Sequence, residues 1–271
     1  RIIYTRWDYI NRHNTWFQSL WVTKPDGTAT AHYYGNYTKN PCVIAETRSI
    51  PGSRKVVATA AAHHFITGGS IILVDPQKGQ DGLAPLTRVT PEVKFPETEG
   101  WGGKGCFTTP YPLSEELFFV AYSPEPINYG VRPSDAAFGI YLIDTLGGRE
   151  LIYRDPKVSC FTPIPLRPQP APPTIPSVLP APGEAPPTGT CTVQDIYQST
   201  QPIPKGSISY LRINRIHDQP TAKFTLRSRA RQEVVKSVIG VVPVNKDGSV
   251  AFTVPADTGF QLQALDKNGM A

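Results

Sequence analysis

The sequence predicts an all-β protein built as two modules, and three observations carry that expectation. Proline and glycine supply 29 and 22 of the 271 residues. Because proline breaks helix interiors, long helical bundles and coiled coils are excluded. Most apolar runs are four to seven residues long and bounded by Gly, Pro, Asn or Asp, which suits strands and is too short for helices. Finally, 11 prolines fall within the 25 residues 163–187, a stretch with one Arg, one Glu and no aromatic residue. That composition favours extended polyproline II and cannot bury a core. A stiff tether is the expected role, although its P-x-x-P spacings also fit a proline-reading partner. The expected organisation is therefore a module at 1–162, a linker at 163–189 and a second module at 190–271.

In the first module, strand signals fall at 2–5, 17–23, 55–61, 70–75, 117–122 and 139–144. They repeat. Pro51-Gly52-Ser53-Arg54-Lys55 leads into an apolar strand as Pro112-Leu113-Ser114-Glu115-Glu116 does, and Ser70-Ile71-Ile72-Leu73-Val74-Asp75 matches Gly139-Ile140-Tyr141-Leu142-Ile143-Asp144. A turn and a short strand follow each, at 86–89 and 150–153, and the first 36 residues read as another such unit. This pattern resembles β-propeller blades of the TolB or WD40-like kind, four-stranded sheets that must stack to bury both faces. About three blades are expected, a partial β-propeller. The chain opens at Arg1-Ile2-Ile3-Tyr4 without a Met and stops just after a turn, so it is expected to be the middle of a longer protein.

In the second module, 207–213 alternates at period two and 238–244 is a near-continuous apolar run. Asn245-Lys246-Asp247-Gly248 then predicts a hairpin turn, with 249–254 returning antiparallel and 261–266 following. The pattern resembles a prealbumin-like or immunoglobulin-like β-sandwich, truncated at its C-terminus.

Charge is uneven: residues 1–160 hold 16 Lys/Arg against 15 Asp/Glu, whereas 190–271 hold 10 against 6. The excess gathers at Arg212, Arg215, Lys223, Arg227, Arg229 and Arg231. Few aromatics are interleaved and no nucleic-acid motif is matched, so a solvated strand face is expected and no nucleic-acid partner. No run approaches the ~18 apolar residues of a membrane span.

His63-His64 is the most chemical-looking pair. Adjacent histidines in a regular strand point to opposite faces and cannot share one metal, but these stand just beyond a strand end. Two readings stay open: structural hydrogen bonds at a sheet edge, or at least one ring facing a metal, haem or ligand. Cys42, Cys106, Cys160 and Cys191 include no C-x-x-C, hence no zinc-knuckle spacing and no c-type haem attachment within this chain. A free, buried Cys160 is expected. A Cys160–Cys191 disulfide and a metal-ligand role for Cys160 are the alternatives. Neither a nucleophile elbow, a Walker loop, an H-E-x-x-H nor a Rossmann fingerprint occurs, and Gly102-Gly103-Lys104-Gly105 reads as a turn. No catalytic residue is singled out. Aromatics crowd the start (Tyr4, Trp7, Tyr9, Trp16, Phe17, Trp21, Tyr33, Tyr34, Tyr37); they either pack one sheet on the next or line a ligand face.

Several blocks together point further. They are Ala62-His63-His64 before Gly69-Ser70-Ile71-Ile72-Leu73-Val74-Asp75, then Tyr111-Pro112-Leu113-Ser114-Glu115, then Phe138-Gly139-Ile140-Tyr141-Leu142-Ile143-Asp144. Ser159-Cys160 with Pro163-Ile164-Pro165-Leu166 follows, and Gln263-Ala264-Leu265-Asp266-Lys267-Asn268-Gly269-Met270-Ala271 closes the set. In this order they resemble the hydrazine synthase alpha-subunit-like family, large exported planctomycete-type proteins with c-type haems. The resemblance implies a periplasmic or otherwise extracytoplasmic location, and c-type haem in flanking regions of the parent rather than in this chain. It also implies partners among the other domains or subunits of a redox complex. It does not imply hydrazine synthesis. Only His63, His64 and Cys160 stand in matching blocks with metal-capable side chains. The expected function is a non-catalytic β-scaffold positioning haem domains or partner subunits; the alternative is a TolB- or lectin-like module that binds protein or glycan through Trp7 and Trp16.

Overall fold

Segments rich in β-branched and aromatic residues alternate with Gly, Pro and Asp turns, and in the computed structural model these segments are strands. The structure describes all residues except 9–16, 65, 102–104, 129–130, 132, 170, 180, 182, 185–186, 200–201, 218–234 and 257. Among the described residues there are sixteen strands, one 3-10 turn at Pro76–Lys78 and no α-helix. The all-β expectation holds. The chain divides into two compact units, Arg1–Ser177 and Val178–Ala271.

The first unit begins with β1 (Ile2–Asp8), β2 (Phe17–Thr23) and β3 (Ala31–Tyr34), an antiparallel three-stranded sheet. The turn between β2 and β3 uses Pro25-Asp26-Gly27: Gly27 donates to the Lys24 carbonyl, and the Asp26 carboxylate accepts from Thr28 N–H and Oγ1. Two meanders follow. The first is β4 (Ile44–Ser49), β5 (Val56–Ala61), β6 (Gly69–Val74) and β7 (Leu86–Arg88). The second is β8 (Cys106–Pro112), β9 (Leu117–Ser123), β10 (Gly139–Asp144) and β11 (Arg149–Tyr153). Pairing is antiparallel within each, and the single ladder step Gly69↔Phe107 joins them into one eight-stranded sheet.

Strand periodicity decides what covers each face. Both β5 and β6 are buried along their whole length, so their residues must divide between two cores. Val57, Ile71 and Leu73 face Phe107, Phe118 and Val120 of the second meander. Val56, Ala58, Ala60, Ile72 and Val74 face Leu20 and Tyr34 of the first sheet together with Ile44 and Phe95. The middle meander is thus covered on both sides by its sequence neighbours. The repeated turns also meet: Ser53 and Lys55, in the turn before β5, both bind the Glu115 carboxylate in the turn before β9. Turns that align in the sequence repeat therefore touch in space.

In the second unit, β12 (Thr188–Val193) pairs with β15 (Val250–Pro255), and β13 (Tyr210–Ile216) lies between β14 (Lys236–Pro243) and β16 (Phe260–Leu265). Leu211 and Ile213 of β13 share a core with Val250, Phe252 and Val254 of β15. One expectation is corrected here. The 245–248 turn forms, with Gly248 donating to the Asn245 carbonyl, but the strands it joins enter different sheets instead of pairing. Pro243 closes β14 without an N–H to offer. Gly248, at φ +90°, then turns the chain so that alternate residues of β15 enter the core.

Of the basic cluster, Arg212 donates to Gln263 across the β13–β16 ladder. Lys223, Arg227, Arg229 and Arg231 lie outside the described residues. No helix among the described residues is long and apolar enough to cross a membrane.

Candidate functional site

Two glycines set the geometry at the end of β5. A Cβ on Gly69 would lie 2.1 Å from the Ala60 carbonyl oxygen and 2.9 Å from Pro96 Cδ, and one on Gly68 would lie 2.4 Å from Cys106 Sγ. Both positions exclude a side chain, so β6 starts pressed against β5 on one side and the 95–100 loop on another. That loop is stapled by Glu99. Its carboxylate takes two guanidinium bonds from Arg88, accepts the Phe95 N–H at 2.9 Å and accepts Asn40 Nδ2 at 3.0 Å. The Arg88 guanidinium above all, helped by the Phe95 and Asn40 donors, holds the Glu99 carboxyl down at about 2. Arg88 also lies over the Phe95 ring, 3.6 Å from its centroid, as a planar cation does on an aromatic face.

The staple presents Glu97 to the histidines. Glu97 sits at φ +68°, a left-handed conformation that costs an L-residue roughly 1–2 kcal/mol. One carboxylate oxygen accepts the His63 N–H at 2.5 Å and the other meets His63 Nδ1 at 2.5 Å. The two side chains are only 13% and 12% exposed. β5 has ended at Ala61, and the bend that follows frees the next residues from strand alternation. The His63 and His64 rings accordingly stack, with centroids 3.6 Å apart. Trp7 meets His63 edge-on at 5.9 Å and Trp101 meets His64 at 6.1 Å, so indoles flank the pair on either side. His63, His64 and Glu97 each offer a metal-capable atom, and these atoms lie within 4.8 Å of one another.

Of the three residues singled out by sequence, His63 and His64 come together and Cys160 does not join their group. Cys160 lies beyond β11, where its N–H bonds the Phe138 carbonyl at 3.0 Å. Its thiol is free and half-buried, less enclosed than the sequence led one to expect. Cys42 and Cys191 are free as well. Burial first, and then the Glu97 charge, push the Cys42 thiol up to about 11. Tyr9, Trp16 and the Gly102-Gly103-Lys104 stretch lie outside the described residues.

Two carboxylates that the sequence did not single out organise the region. Glu97 stands 34 positions beyond His63 in Pro96-Glu97-Thr98-Glu99-Gly100, and nothing local marks its partner. Glu46 occupies a bulge in β4 at φ +55°. It binds Thr59 Oγ1 of β5 at 3.2 Å and, in β8, Thr108 Oγ1 at 2.6 Å and the Thr109 N–H at 2.5 Å. It ties the two meanders near their shared ladder step.

The class this defines is an all-β, two-unit protein with a histidine–carboxylate cluster at a strand end. Residues 206–271 match the family described as hydrazine synthase alpha subunit middle domain. No curated protein sequence matches the chain. Among solved structures, Kuenenia stuttgartiensis hydrazine synthase is similar, with a TM-score of 0.71 at 18% identity over 99% of this chain and 39% of that one. The chain thus spans well under half the length of the hydrazine synthase chain it matches. It is hydrazine synthase alpha-like over the matched segment, as the sequence blocks led one to expect, and has a hydrazine-synthase-like fold as a whole. The blocks between Ala62 and Leu166 lie outside the matched segment.

Proposed function

We propose that the chain is the non-catalytic β-scaffold region of a larger, exported multihaem redox protein, holding haem-bearing domains or partner subunits in place. The observation that carries this reading is the near-complete overlay of both units on 39% of a hydrazine synthase chain. The finer architecture belongs to the proposal. The first unit reads as TolB- or WD40-like propeller blades, supported by three successive meanders covering one another through shared cores. The second reads as a prealbumin- or immunoglobulin-like sandwich, supported by a core common to its two sheets. In this reading the haem is c-type and attached outside the chain, whose cysteines form no C-x-x-C-H, and the protein is extracytoplasmic. Haem absorbance of the full-length protein tests the proposal: a c-type spectrum supports it and its absence refutes it.

A second reading rests on Trp7 and Trp101, 42% and 57% exposed beside the histidines. Flat, half-open aromatic surfaces of this kind suit a glycan or protein ligand. Glycan-array or pull-down binding by the chain, lost on Trp7→Ala, would favour this reading over the scaffold.

A further inference from the structure

We infer that His63, His64 and Glu97 form a site for one borderline divalent transition cation of the Zn(II) class, with an open coordination position on the His64 side. Two imidazoles and one carboxylate make up a recurrent ligand set for zinc and its neighbours, and such sites keep a position for water or substrate.

A structural pairing of His63 with Glu97 accounts for their mutual contacts, but not for His64. That side chain is exposed and could extend into solvent, yet its ring lies 3.6 Å from the His63 ring, centroid to centroid. Stacking brings a second imidazole nitrogen to the carboxylate, so that all three donors fall within 4.8 Å. Metal–ligand lengths of about 2.0–2.2 Å place two ligands of a tetrahedral ion about 3.4 Å apart. Closing from the observed spread of 4.8 Å takes an adjustment of at most about 1.4 Å, within reach of an exposed His64 rotamer. His63 and Glu97 need little preparation, being nearly buried and fixed through the Glu99 staple. The left-handed backbone at Glu97 is the kind of local strain that concentrates at ligand-holding positions. Trp7 and Trp101 flank the rings and would limit the size of whatever reaches the open position.

This inference stands apart from the scaffold reading. A protein with haem and no metal here, or metal here and no haem, would separate the two. The test uses the 271-residue chain, stripped with a chelator and titrated with Zn(II) by calorimetry and with Co(II) by visible absorption. One equivalent of each is expected, with Co(II) showing the ligand-field bands of a low-coordinate N/O site. His64→Ala removes an exposed ring and spares the fold; it should weaken Zn(II) binding at least 10-fold with an unchanged circular dichroism spectrum. Glu97→Gln removes the one anionic ligand and should weaken it at least as much as His64→Ala does. His217→Ala, at a histidine in the second unit bonded to Ser237, should leave it unchanged. The proposal is overturned by a wild-type chain that takes up no stoichiometric metal. It is equally overturned if binding survives His64→Ala unweakened, or is abolished by His217→Ala.

Discussion

Gly69→Ala probes the link between fold and site most sharply. A Cβ there would stand 2.1 Å from the Ala60 carbonyl oxygen, 2.9 Å from Pro96 Cδ and 3.1 Å from Pro96 Cγ. The first clash is with backbone and cannot be relieved by a rotamer change. Gly69 pairs with Ala61 in the β5–β6 ladder and with Phe107 in the step joining the two meanders, so relief must open one ladder or displace the 95–100 loop. Overpacking a rigid core costs about 1–3 kcal/mol and sometimes more. For a unit of this size each kcal/mol lowers Tm by about 2–4 °C, which gives a fall of about 2–12 °C in the transition of the first unit. Differential scanning calorimetry reads it, with the second unit's transition as an internal reference. Gly189→Ala, where nothing lies within 4 Å, is the control and should shift Tm by less than about 2 °C. An unchanged first transition in Gly69→Ala would refute the claim that close strand and loop approach defines this end of the sheet.

Further outcomes follow from the same contacts. Tyr34 is fully buried and donates to the Gly82 carbonyl at 2.6 Å; Tyr34→Phe should cost about 1–2 kcal/mol in chemical denaturation. Burial pushes the Tyr34 hydroxyl up to about 12 from 10.0. Its contribution is therefore complete below pH ~10 and is lost as pH rises towards 12, a sensitivity that Tyr34→Phe should lack. Glu99 titrates in the opposite sense. Held at about 2 against an ordinary 4.5, it stabilises the fold above pH ~4.5 and ceases to do so as pH falls towards 2. Glu99→Gln should accordingly flatten stability between pH 5 and 2. The effect near neutrality should be on the order of 1 kcal/mol, because the Glu99 and Arg88 side chains are 25% and 31% exposed and partly screened. Phe118, fully buried against the middle meander, should lose about 3–5 kcal/mol on truncation to Ala, read as a fall in denaturant midpoint at constant slope.

How much of this was legible in sequence depended on whether the signal was local. The expected strands at 17–23 and 139–144 coincide with β2 and β10, because each is an apolar run closed by its own turn residues. The repeat was readable because Ser53 and Glu115 sit in turns before equivalent strands, where their contact now lies. β12 went unread: Thr188–Val193 alternates exposed and half-exposed residues with no strongly apolar face, and only pairing with β15 makes it a strand. The 245–248 turn was recognised, but the sheet each flanking strand joins depends on contacts far along the chain. The same limit applies to the site. The adjacent histidines could be marked as chemical, and the strand end told against opposite-facing rings. Glu97, by contrast, is brought in by a glycine contact and a carboxylate staple separated from His63 by about thirty residues. Cys160 looked equivalent to the histidines as a ligand, yet its segment beyond β11 leaves it out of their group.

The role proposed for this chain is that of a β-scaffold within a haem-bearing protein similar to the hydrazine synthase alpha subunit. The most direct measurement is the absorption spectrum of the full-length protein, purified from a host able to attach c-type haem, beside that of the 271-residue chain. The full-length protein is expected to give a c-type pyridine haemochrome, and the chain alone no haem. A full-length protein without haem absorbance would contradict the proposed role.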